Sequence, residues 1–455
     1  MLKMHQRNNA SILEGSIMDK LLMFALPLAV TGILSQLFNA ADVAIVGRFV
    51  GSAAMAAVGC NTPVISLLVS LFLGVSLGVN VVISRLTGMK NEKAVSRAAH
   101  TGILFSLLSG LFLLLLGEWL APKILMLLSV PEDVLPMAVL YLRIYFLGMP
   151  VIFLYNFESA IFRSRGDTRT PLACLTIAGV INVILNVIFV VVCKRSVDGV
   201  AWATVISNAI SSMILLYKLA RREDAIRISL KKLRMDWGLL KRILHVGMPV
   251  GLQSTVFAIS NILVQSAVNS LGSDVIAGAS AAFNIEIFVY YLINSFGQAC
   301  ATFVGQNYGA GNVARCRKIT ARALLMDVCV GMVLAVVIYS VGPSLLSLFN
   351  TEPAIISCGM VRLKYILFAE GIAAVIEVFS GTMQGYEQST VPAVITFLGV
   401  CSVRITWVYT IFRMAPSFGT LMICYPLSWA VTGLGLVIAY LILRRRLEQT
   451  KENIV

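Results

Sequence analysis

The sequence contains few charged residues and no pattern typical of a catalytic or metal centre. Only 13% of its 455 residues are Asp, Glu, Lys or Arg, whereas a soluble domain has about 25%. Its nine cysteines lie singly, without a CxxC pair or a Cys/His cluster. A Walker A loop, a Ser/His/Asp elbow and a haem motif are all missing, so direct use of ATP is not expected. The sequence therefore predicts no enzyme, no cofactor and no structural metal.

Apolar residues dominate instead. The chain is 58% hydrophobic, with a mean hydropathy of +0.88. It contains repeated apolar runs of about 20 residues, which is enough for a helix to cross a bilayer. These runs predict an all-α integral membrane protein with twelve transmembrane helices. The predicted spans are 22–46, 56–84, 97–117, 137–162, 171–193, 199–218, 244–268, 278–304, 320–341, 360–384, 392–412 and 421–443.

Lysines and arginines indicate how these spans are oriented. Most of the 36 fall in alternate loops, and such clusters mark the cytoplasmic side of a membrane protein. Both termini are therefore predicted to be cytoplasmic, in a multi-pass protein of the cell inner or plasma membrane. In a soluble protein a net charge of +14 would suggest nucleic acid. Here topology explains the charge, so the expected partner is the lipid bilayer and not nucleic acid.

The longest polar stretch divides the chain in two. This stretch is basic and amphipathic, which predicts a surface helix lying in the lipid headgroups. The predicted organisation is a cytoplasmic N-terminus (1–21), an N-terminal six-helix lobe (22–218), a basic cytoplasmic linker (219–243), a C-terminal six-helix lobe (244–443) and a cytoplasmic C-terminus (444–455).

The two halves resemble each other at a constant offset. The separation between Pro27 and Pro249 is the same as the separation between Asn39 and Asn261. Because each half has an even number of spans, both lobes begin on the same side, and they should be parallel repeats related by an axis along the membrane normal. Two such bundles are expected to hold substrate at their interface and to move it by alternating access.

One apolar stretch, 24–51, carries a carboxylate in its second half. A charged side chain near the middle of a membrane helix costs about 2.5–3.5 kcal/mol, so Asp42 is expected to face a cavity or a partner. Ser35 and Asn39 lie on the same helical face as Asp42, which indicates a polar stripe leading to an ion or proton site. The alternative is that Asp42 lies near the membrane surface and pairs with Arg48.

Six stretches are distinctive in combination: LPLAVTGILSQLFNAADVAIVGRFVG, FRSRGDTRTP, NVILNVIFV, VDGVAWATVIS, INSFGQACATFVGQNYGAGN and GTMQGYEQSTVPA. Through them the chain resembles bacterial members of the multidrug and toxic compound extrusion (MATE) family over residues 14–445. This resemblance implies a MATE-type fold of two pseudo-symmetric six-helix bundles around a central cavity. It also implies a secondary antiporter that exports organic cations or amphipathic drugs in exchange for protons or sodium ions.

The resemblance further implies roles for individual residues. Asp42 matches the family's first-span acid, which takes part in cation coupling, and Asn182 and Asn186 match an Asn-x-x-x-Asp pair of some relatives. Asn186 cannot titrate, but it could hydrogen-bond a protonated Asp42, and the three oxygen-bearing side chains could hold a transient sodium ion. The acids that other relatives carry in spans seven and ten fall at Phe257 and Ala373, so a second sodium site of that kind is not expected.

The C-terminal half has other acids within its predicted spans. Glu286 lies early in span eight, and Glu370 and Glu377 lie seven residues apart in span ten. Buried carboxylates without a cationic partner tend to bind a proton. These three are therefore candidates for a second acidic site or for a counter-charge to a cationic substrate. The alternatives are a wetted helix end for Glu286 and an ion pair between Glu377 and Arg404.

Two more acids within spans are expected to be structural and to lie near basic loops. They are Asp327, beside Arg322, and Glu158, beside Arg163.

Substrate recognition is expected to combine carboxylates with aromatic faces. The protein is expected to act as a monomer.

Two rival functions are considered. One is a lipid-linked oligosaccharide flippase of a related fold, which would need a strongly cationic cavity, and the other is a membrane receptor without transport. The candidate polar positions of the cavity are Gln36, Asn39, Gln253, Asn261 and Tyr290.

Overall fold

The structure is a computed structural model that describes residues 12–128 and 130–452. Every regular element in those ranges is helical. In the first half, α6 continues directly into a π-helix, Val187–Val192. The helices of this half are α1 (Ile17–Phe49), α2 (Ser52–Gly88), α3 (Glu92–Leu127), α4 (Leu135–Leu147), α5 (Met149–Ser164), α6 (Arg169–Asn186) and α7 (Val197–Ala220).

The second half repeats this pattern with shorter pieces. A second π-helix, Phe397–Ser402, lies between α14 and α15. The helices of this half are α8 (Trp237–Asn269), α9 (Ser273–Gly309), α10 (Val313–Ser340), α11 (Gly342–Ser347), α12 (Pro353–Leu367), α13 (Glu370–Gly385), α14 (Thr390–Thr396), α15 (Val403–Tyr409), α16 (Ile411–Met414), α17 (Phe418–Met422) and α18 (Cys424–Glu452).

The predicted all-α polytopic fold is confirmed. Within the described ranges, ten helical segments are long and apolar enough to cross a membrane, and two bent pairs raise the number to as many as twelve. The bent pairs are α4 with α5, at 48°, and α12 with α13, at 42°. Predicted spans four and ten are therefore each broken. At the first break Pro150 lies in the opening turn of α5, and a proline there removes a backbone donor and favours a bend.

Two compact units make up the chain. Unit one comprises Met1–Ala29 with Pro249–Val455, and unit two comprises Val30–Met248. The boundaries fall inside α1 and inside α8, each of which contains a proline at the boundary. The first turns of α1 therefore belong to unit one, and the first turns of α8 belong to unit two. The units differ in this respect from the predicted lobes, which were divided at the linker.

Apolar packing explains why α1 begins in unit one. Its buried residues Ile17, Leu21 and Phe24 share a core with residues of α9, α10, α13 and α18. The rings of Phe24 and Phe303 meet edge to face, with centroids 5.4 Å apart. Because lipid tails are as apolar as these side chains, close van der Waals packing has to hold such contacts. The start of α1 is thus fixed in unit one, while Asp42 lies further along the helix in unit two.

The surface helix predicted for 219–243 is only partly formed, because only 237–243 are helical, as the first turns of α8. The segment is mostly irregular, with one 3₁₀ turn before α8 begins. The backbone amide of Ser229 donates to His100 Nε2 at 3.1 Å, and that of Asp236 donates to Thr101 Oγ1 at 3.1 Å. Because side chains of α3 take up these two backbone donors, the segment docks on unit two as an extended strap instead of winding into a helix.

The crossing of α2 and the start of α8 depends on two glycines. A Cβ atom on Gly78 would lie 2.9 Å from the backbone nitrogen of Gly247, and one on Gly247 would lie 2.5 Å from the Cα atom of Val75. Real side chains do not tolerate such distances from backbone atoms. Small residues therefore allow the two backbones to approach, as is common between membrane helices.

This crossing can be tested with two alanine substitutions in α2. Gly78→Ala should lower the free energy of unfolding by about 1–3 kcal/mol, because the new methyl group overpacks a backbone contact. Gly59→Ala is the control, since a Cβ atom there meets nothing within 4 Å and alanine favours the helix. Thermal unfolding of the purified protein in detergent measures both. Equal melting temperatures for the two variants would contradict the close approach.

Candidate functional site

A buried polar cluster in unit two brings α1, α6 and α7 together. Asp42 is only 6% exposed. Asn186 Nδ2 donates to Asp42 Oδ1 at 2.5 Å and also lies 3.2 Å from Asn182 Oδ1. Thr204 Oγ1 lies 3.1 Å from Asp42 Oδ2. The structure therefore brings the three residues of the predicted coupling site into contact and adds Thr204. These four residues are called the Asp42 cluster below.

The hydroxyl group of Thr204 can serve two arrangements of protons. Its single proton can be donated to Asp42 Oδ2 or to the Val200 carbonyl oxygen, which lies 3.0 Å away. A charged Asp42 would accept that proton. A protonated Asp42 could instead donate to Thr204, whose own proton would then go to Val200. The same side chains thus satisfy either protonation state of Asp42.

The Asp42 cluster also has an unused acceptor. Asn186 Oδ1 is buried and has no hydrogen-bond donor among the described residues. An unsatisfied buried acceptor costs about 1–3 kcal/mol. The cluster offers carboxylate, amide and hydroxyl oxygens, which are the ligands that hard cations prefer. A cation held there would satisfy the free oxygen.

Both π-helices adjoin a buried polar residue. Asn186 is the last residue of α6, immediately before the first π-helix. Arg404, in α15, lies just after the second π-helix and is 1% exposed. Single π turns inside α-helices occur often at functional sites. The two interruptions therefore lie beside the two buried polar clusters, one around Asp42 and one around Arg404.

The polar residues predicted on one face of α1 differ in burial and in partners. The alternative that Asp42 pairs with Arg48 is wrong, because its carboxylate bonds to Asn186 and Thr204. Gln36 is half-buried, and Asn39 is exposed. Asp42 is therefore the point at which the polar face of α1 becomes buried.

In unit one, Glu286 forms a buried ion pair that the sequence analysis did not identify. Arg362, in α12, makes three contacts with the carboxylate of Glu286, at 2.6, 3.1 and 3.2 Å. The residues are 7% and 5% exposed. The alternative of a wetted helix end is therefore wrong. The carboxylate is already neutralised by an arginine, which weakens the prediction that it receives a cationic substrate.

The other two predicted acids of this half lack a cationic partner. Glu377 accepts a hydrogen bond from Asn294 Nδ2 at 3.0 Å, and Glu370 is 3% exposed. In the part of the chain that the structure describes, neither carboxylate forms an ion pair. The alternative pairing of Glu377 with Arg404 is wrong, because the arginine bonds to Asn261 and to two serines.

Asp327 and Glu158 are more deeply buried than expected. Both are 0% exposed. Neither oxygen of Asp327 has a hydrogen-bond partner among residues 12–128 and 130–452, and Glu158 accepts from Ser212 Oγ at 3.0 Å. Neither acid forms an ion pair with the arginine expected beside it among the described residues. Asp327 joins Glu370 and Glu377 as a buried acid of unit one without a cation.

The predicted cavity positions of unit one differ in their surroundings. Gln253 donates to Thr396 Oγ1 at 3.0 Å, and Tyr290 is 43% exposed beside Tyr291. Asn261 is exposed, and its Oδ1 atom accepts from Arg404 at 2.7 Å. Only Asn261 therefore touches a buried charge.

Sequence reasoning missed Thr204 and Arg362. A signal for Thr204 was present, since Thr204, Ser207 and Ser211 form a polar face in an otherwise apolar span. Arg362 lies in an apolar run close to Lys364, and such a position is typical of a residue at the membrane surface. The bend between α12 and α13, which periodicity does not predict, accompanies its burial.

A duplicated all-α membrane protein that buries acids among its spans has the features of a membrane transporter. The model of the MatE family matches residues 27–188 and 249–410, more than half of the chain. The chain therefore belongs to the MatE family, and the predicted resemblance is confirmed. The two matches begin at Pro27 and Pro249, so they repeat at the same offset that relates the two halves of the sequence.

Individual relatives agree with this assignment. The chain is 28% identical over 397 residues to the probable multidrug resistance protein YoeA of Bacillus subtilis, covering 86% of each chain. It is 24% identical over 391 residues to an FAD transporter of Shewanella oneidensis, covering 84% of this chain and 85% of the relative. A solved outward-facing structure of a multidrug resistance MATE family transporter superposes with a TM-score of 0.88 at 21% identity, covering 97% of this chain and 98% of that one. The protein is a multi-pass membrane transporter of the MATE type.

The ion pair in unit one can be tested by a double-mutant cycle. Glu286→Gln or Arg362→Gln alone should lower the free energy of unfolding by about 3–5 kcal/mol, because each leaves a buried charge without its partner. The double variant should lose less than the sum of the two. Thermal unfolding in detergent gives the coupling energy.

The control cycle uses Glu118 and Arg143, whose side chains are 34% and 47% exposed and whose charged atoms are 3.6 Å apart. That pair should couple by about 0–1 kcal/mol. An equally small coupling between Glu286 and Arg362 would contradict the buried pair and would return Glu286 to the candidates for substrate binding.

Proposed function

We propose that this protein is a secondary active antiporter that exports organic cations and amphipathic drugs from the cytoplasm in exchange for protons or sodium ions by alternating access. The observation that carries this proposal is the Asp42 cluster, a buried carboxylate surrounded by neutral oxygen and nitrogen groups. No lysine, arginine or histidine pairs with Asp42 among the described residues. A cation from solution is therefore the natural counter-charge.

The Asp42 cluster supports exchange because the carboxylate of Asp42 has suitable partners both with a bound cation and without one. With a proton on Asp42, the chain from Asp42 through Thr204 to Val200 is satisfied. With sodium, the amide of Asn186 would turn over, so that its free oxygen would face the ion beside Asp42 in place of Nδ2. When the cation leaves, the donors of Asn186 and Thr204 still stabilise the carboxylate. Each step would thus avoid a bare buried charge.

The driving force in this proposal is the ion gradient. Each charge that moves inward through a membrane potential gains about 2.3 kcal/mol per 100 mV. Because one carboxylate can neutralise only one cation at a time, inward and outward cations that compete for it cannot cross together. Competition at Asp42 would therefore convert the gradient into outward movement of the drug.

The acids of unit one fit a second role in the same cycle. Glu370, Glu377 and Asp327 are buried without an ion-pair partner in the described ranges. Glu377 already accepts from Asn294, which leaves it able to bind a proton or a cationic group. We therefore keep Glu370 and Glu377 as the proposed second acidic site, and we remove Glu286 from it because Arg362 neutralises that residue.

Family names leave the substrate open, since the relatives include both a probable multidrug resistance protein and an FAD transporter. The unpaired acids of this chain favour cationic substrates. We further propose that both termini are cytoplasmic, that the two halves act as the two lobes, and that the protein works as a monomer.

The direct test is export of a fluorescent organic cation from vesicles that contain the purified protein. A proton gradient and a sodium gradient are imposed separately. The wild type should export the dye with one of them, and Asp42→Asn should reduce export to the rate of protein-free vesicles, because the amide cannot exchange a cation. Asp133→Asn is the matched control, because it makes the same chemical change in an exposed loop and should export normally.

Thr204→Val separates the hydrogen-bond network from the acid itself. It should slow export without abolishing it, since a hydrogen bond to a charged group is worth about 1.5–3 kcal/mol. Normal gradient-driven export by Asp42→Asn would move the coupling site to the acids of unit one. A complete absence of gradient-driven export by the wild type would contradict the antiporter proposal. Movement of a lipid-linked oligosaccharide in the same vesicles would then favour the flippase.

A further inference from the structure

We infer that Arg404 anchors a site for a carboxylate or similar oxyanion group of the transported compound, so that the substrates include zwitterions as well as cations. The inference rests on the proposed transport function and deepens it by adding a second recognition element of opposite charge. The residues of this site are Arg404 in α15, Asn261 and Ser260 in α8, and Tyr425 and Ser428 in α18.

The guanidinium group of Arg404 is held entirely by neutral groups. Its Nη1 atom donates to Asn261 Oδ1 at 2.7 Å and lies 3.4 Å from Ser260 Oγ, while Nε donates to Ser428 Oγ at 3.2 Å. The ring of Tyr425 lies 4.3 Å from the guanidinium carbon. Across the described parts of the chain no carboxylate lies within ion-pair distance of Arg404. The cation is thus solvated but not neutralised.

The nearest buried charges do not supply the missing anion. The guanidinium carbon of Arg362 is 5.9 Å from the ring of Tyr425, so this ring contacts both arginines. Arg362, however, has its own carboxylate, Glu286, at 2.6 Å. That pair is neutral as a unit. The cluster around Tyr425 therefore carries one uncompensated positive charge, and that charge is Arg404.

An uncompensated charge among membrane helices is costly and is usually functional. Burying a charge remains unfavourable even after the protein relaxes around it. Hydrogen bonds from neutral groups and a contact with an aromatic face recover part of this cost. A bound anion would recover the rest, because it alone supplies the opposite charge.

Comparison of the two repeats gives an independent reason. Asn39 and Asn261 are related by the constant offset between the halves, and at this offset the position of Asp42 is occupied by Val264. The repeat that supplies Asp42 has a buried acid with amide and hydroxyl partners. The other repeat has an arginine with amide and hydroxyl partners, beside its own π-helix. The regions beside the two π-helices thus bury side chains of opposite charge, Asp42 in one repeat and Arg404 in the other.

The site has a free donor and an exposed partner. In the described ranges Nη2 of Arg404 donates no hydrogen bond, and Asn261, which occupies Nη1, is exposed. A planar guanidinium group binds an oxyanion best through two parallel N–H groups. An incoming carboxylate could therefore take Nη2 directly and displace Asn261 from Nη1. Asn261 is the exposed residue among the described partners of Arg404, so we expect an incoming carboxylate to approach from the side of Asn261.

The test compares two dyes that differ only at the anionic group: a rhodamine with a free carboxylate and its ethyl ester. Their dissociation constants for the purified full-length protein in detergent are measured by fluorescence anisotropy at constant ionic strength. Arg404→Gln should weaken binding of the carboxylate dye by about tenfold or more, since a charge-assisted pair is lost. Binding of the ester should stay the same. An equal change for both dyes, or no change for either, would overturn the inference.

A second variant keeps the test decisive if Arg404→Gln fails to fold. Asn261→Asp places an isosteric carboxylate 2.7 Å from Nη1, so it should fold at least as well as the wild type and fill the site from within. It should produce the same selective loss of the carboxylate dye. Gln265→Glu is the control, because it adds the same charge one turn along α8 at an exposed position and should leave the selectivity unchanged.

Two outcomes decide whether Arg404 binds an anion, and a separate assay tests transport. Asn261→Asp with a raised melting temperature and unchanged dye selectivity would make Arg404 a purely structural cation and overturn the inference. Selective loss in both variants would support it. Gradient-driven export of the ester dye by the wild type tests the proposed function alone, so a failure of transport would be recognised separately from a failure of the anion site.

Discussion

A charge buried among these apolar helices is costly unless the protein or a bound ion supplies its partner, because lipid offers none. Helical backbones satisfy their own amides and carbonyls, so the side chains decide where polar contacts form. The structure meets this constraint in three ways. Glu286 and Arg362 neutralise each other, Asp42 is surrounded by neutral donors, and Arg404 is surrounded by neutral acceptors. Only the first arrangement is complete without an ion from outside.

The internal duplication explains how one scaffold can hold two unlike polar clusters. Each half has a proline-containing first helix, a broken fourth span and a π-helix beside a buried polar residue. Within this shared frame the half that contains Asp42 presents an acid and the other presents Arg404. A transporter built in this way can recognise a cation and the charge that accompanies it on separate helices.

The fold and part of the site were predictable from the sequence for identifiable physical reasons. Apolar runs of span length, the repeat of the two halves at a constant offset and the pair Asn182 and Asn186 at one helical face are all patterns that can be read along the chain. The partners Thr204 and Arg362 were missed, because the choice of partner depends on how helices far apart in the chain pack. The linker was predicted as a helix from its amphipathic pattern, yet tertiary contacts of its backbone with α3 prevail over that local preference.

The central claim is that the coupling cation and the exported cation compete for Asp42. Its most direct test is the equilibrium affinity of one organic cation for the purified protein, measured across a range of pH and, separately, of sodium concentration. The account predicts that affinity for the wild type falls as the coupling ion, proton or sodium, becomes more concentrated, and that Asp42→Asn loses most of this dependence. The same ion dependence in both proteins would contradict the account.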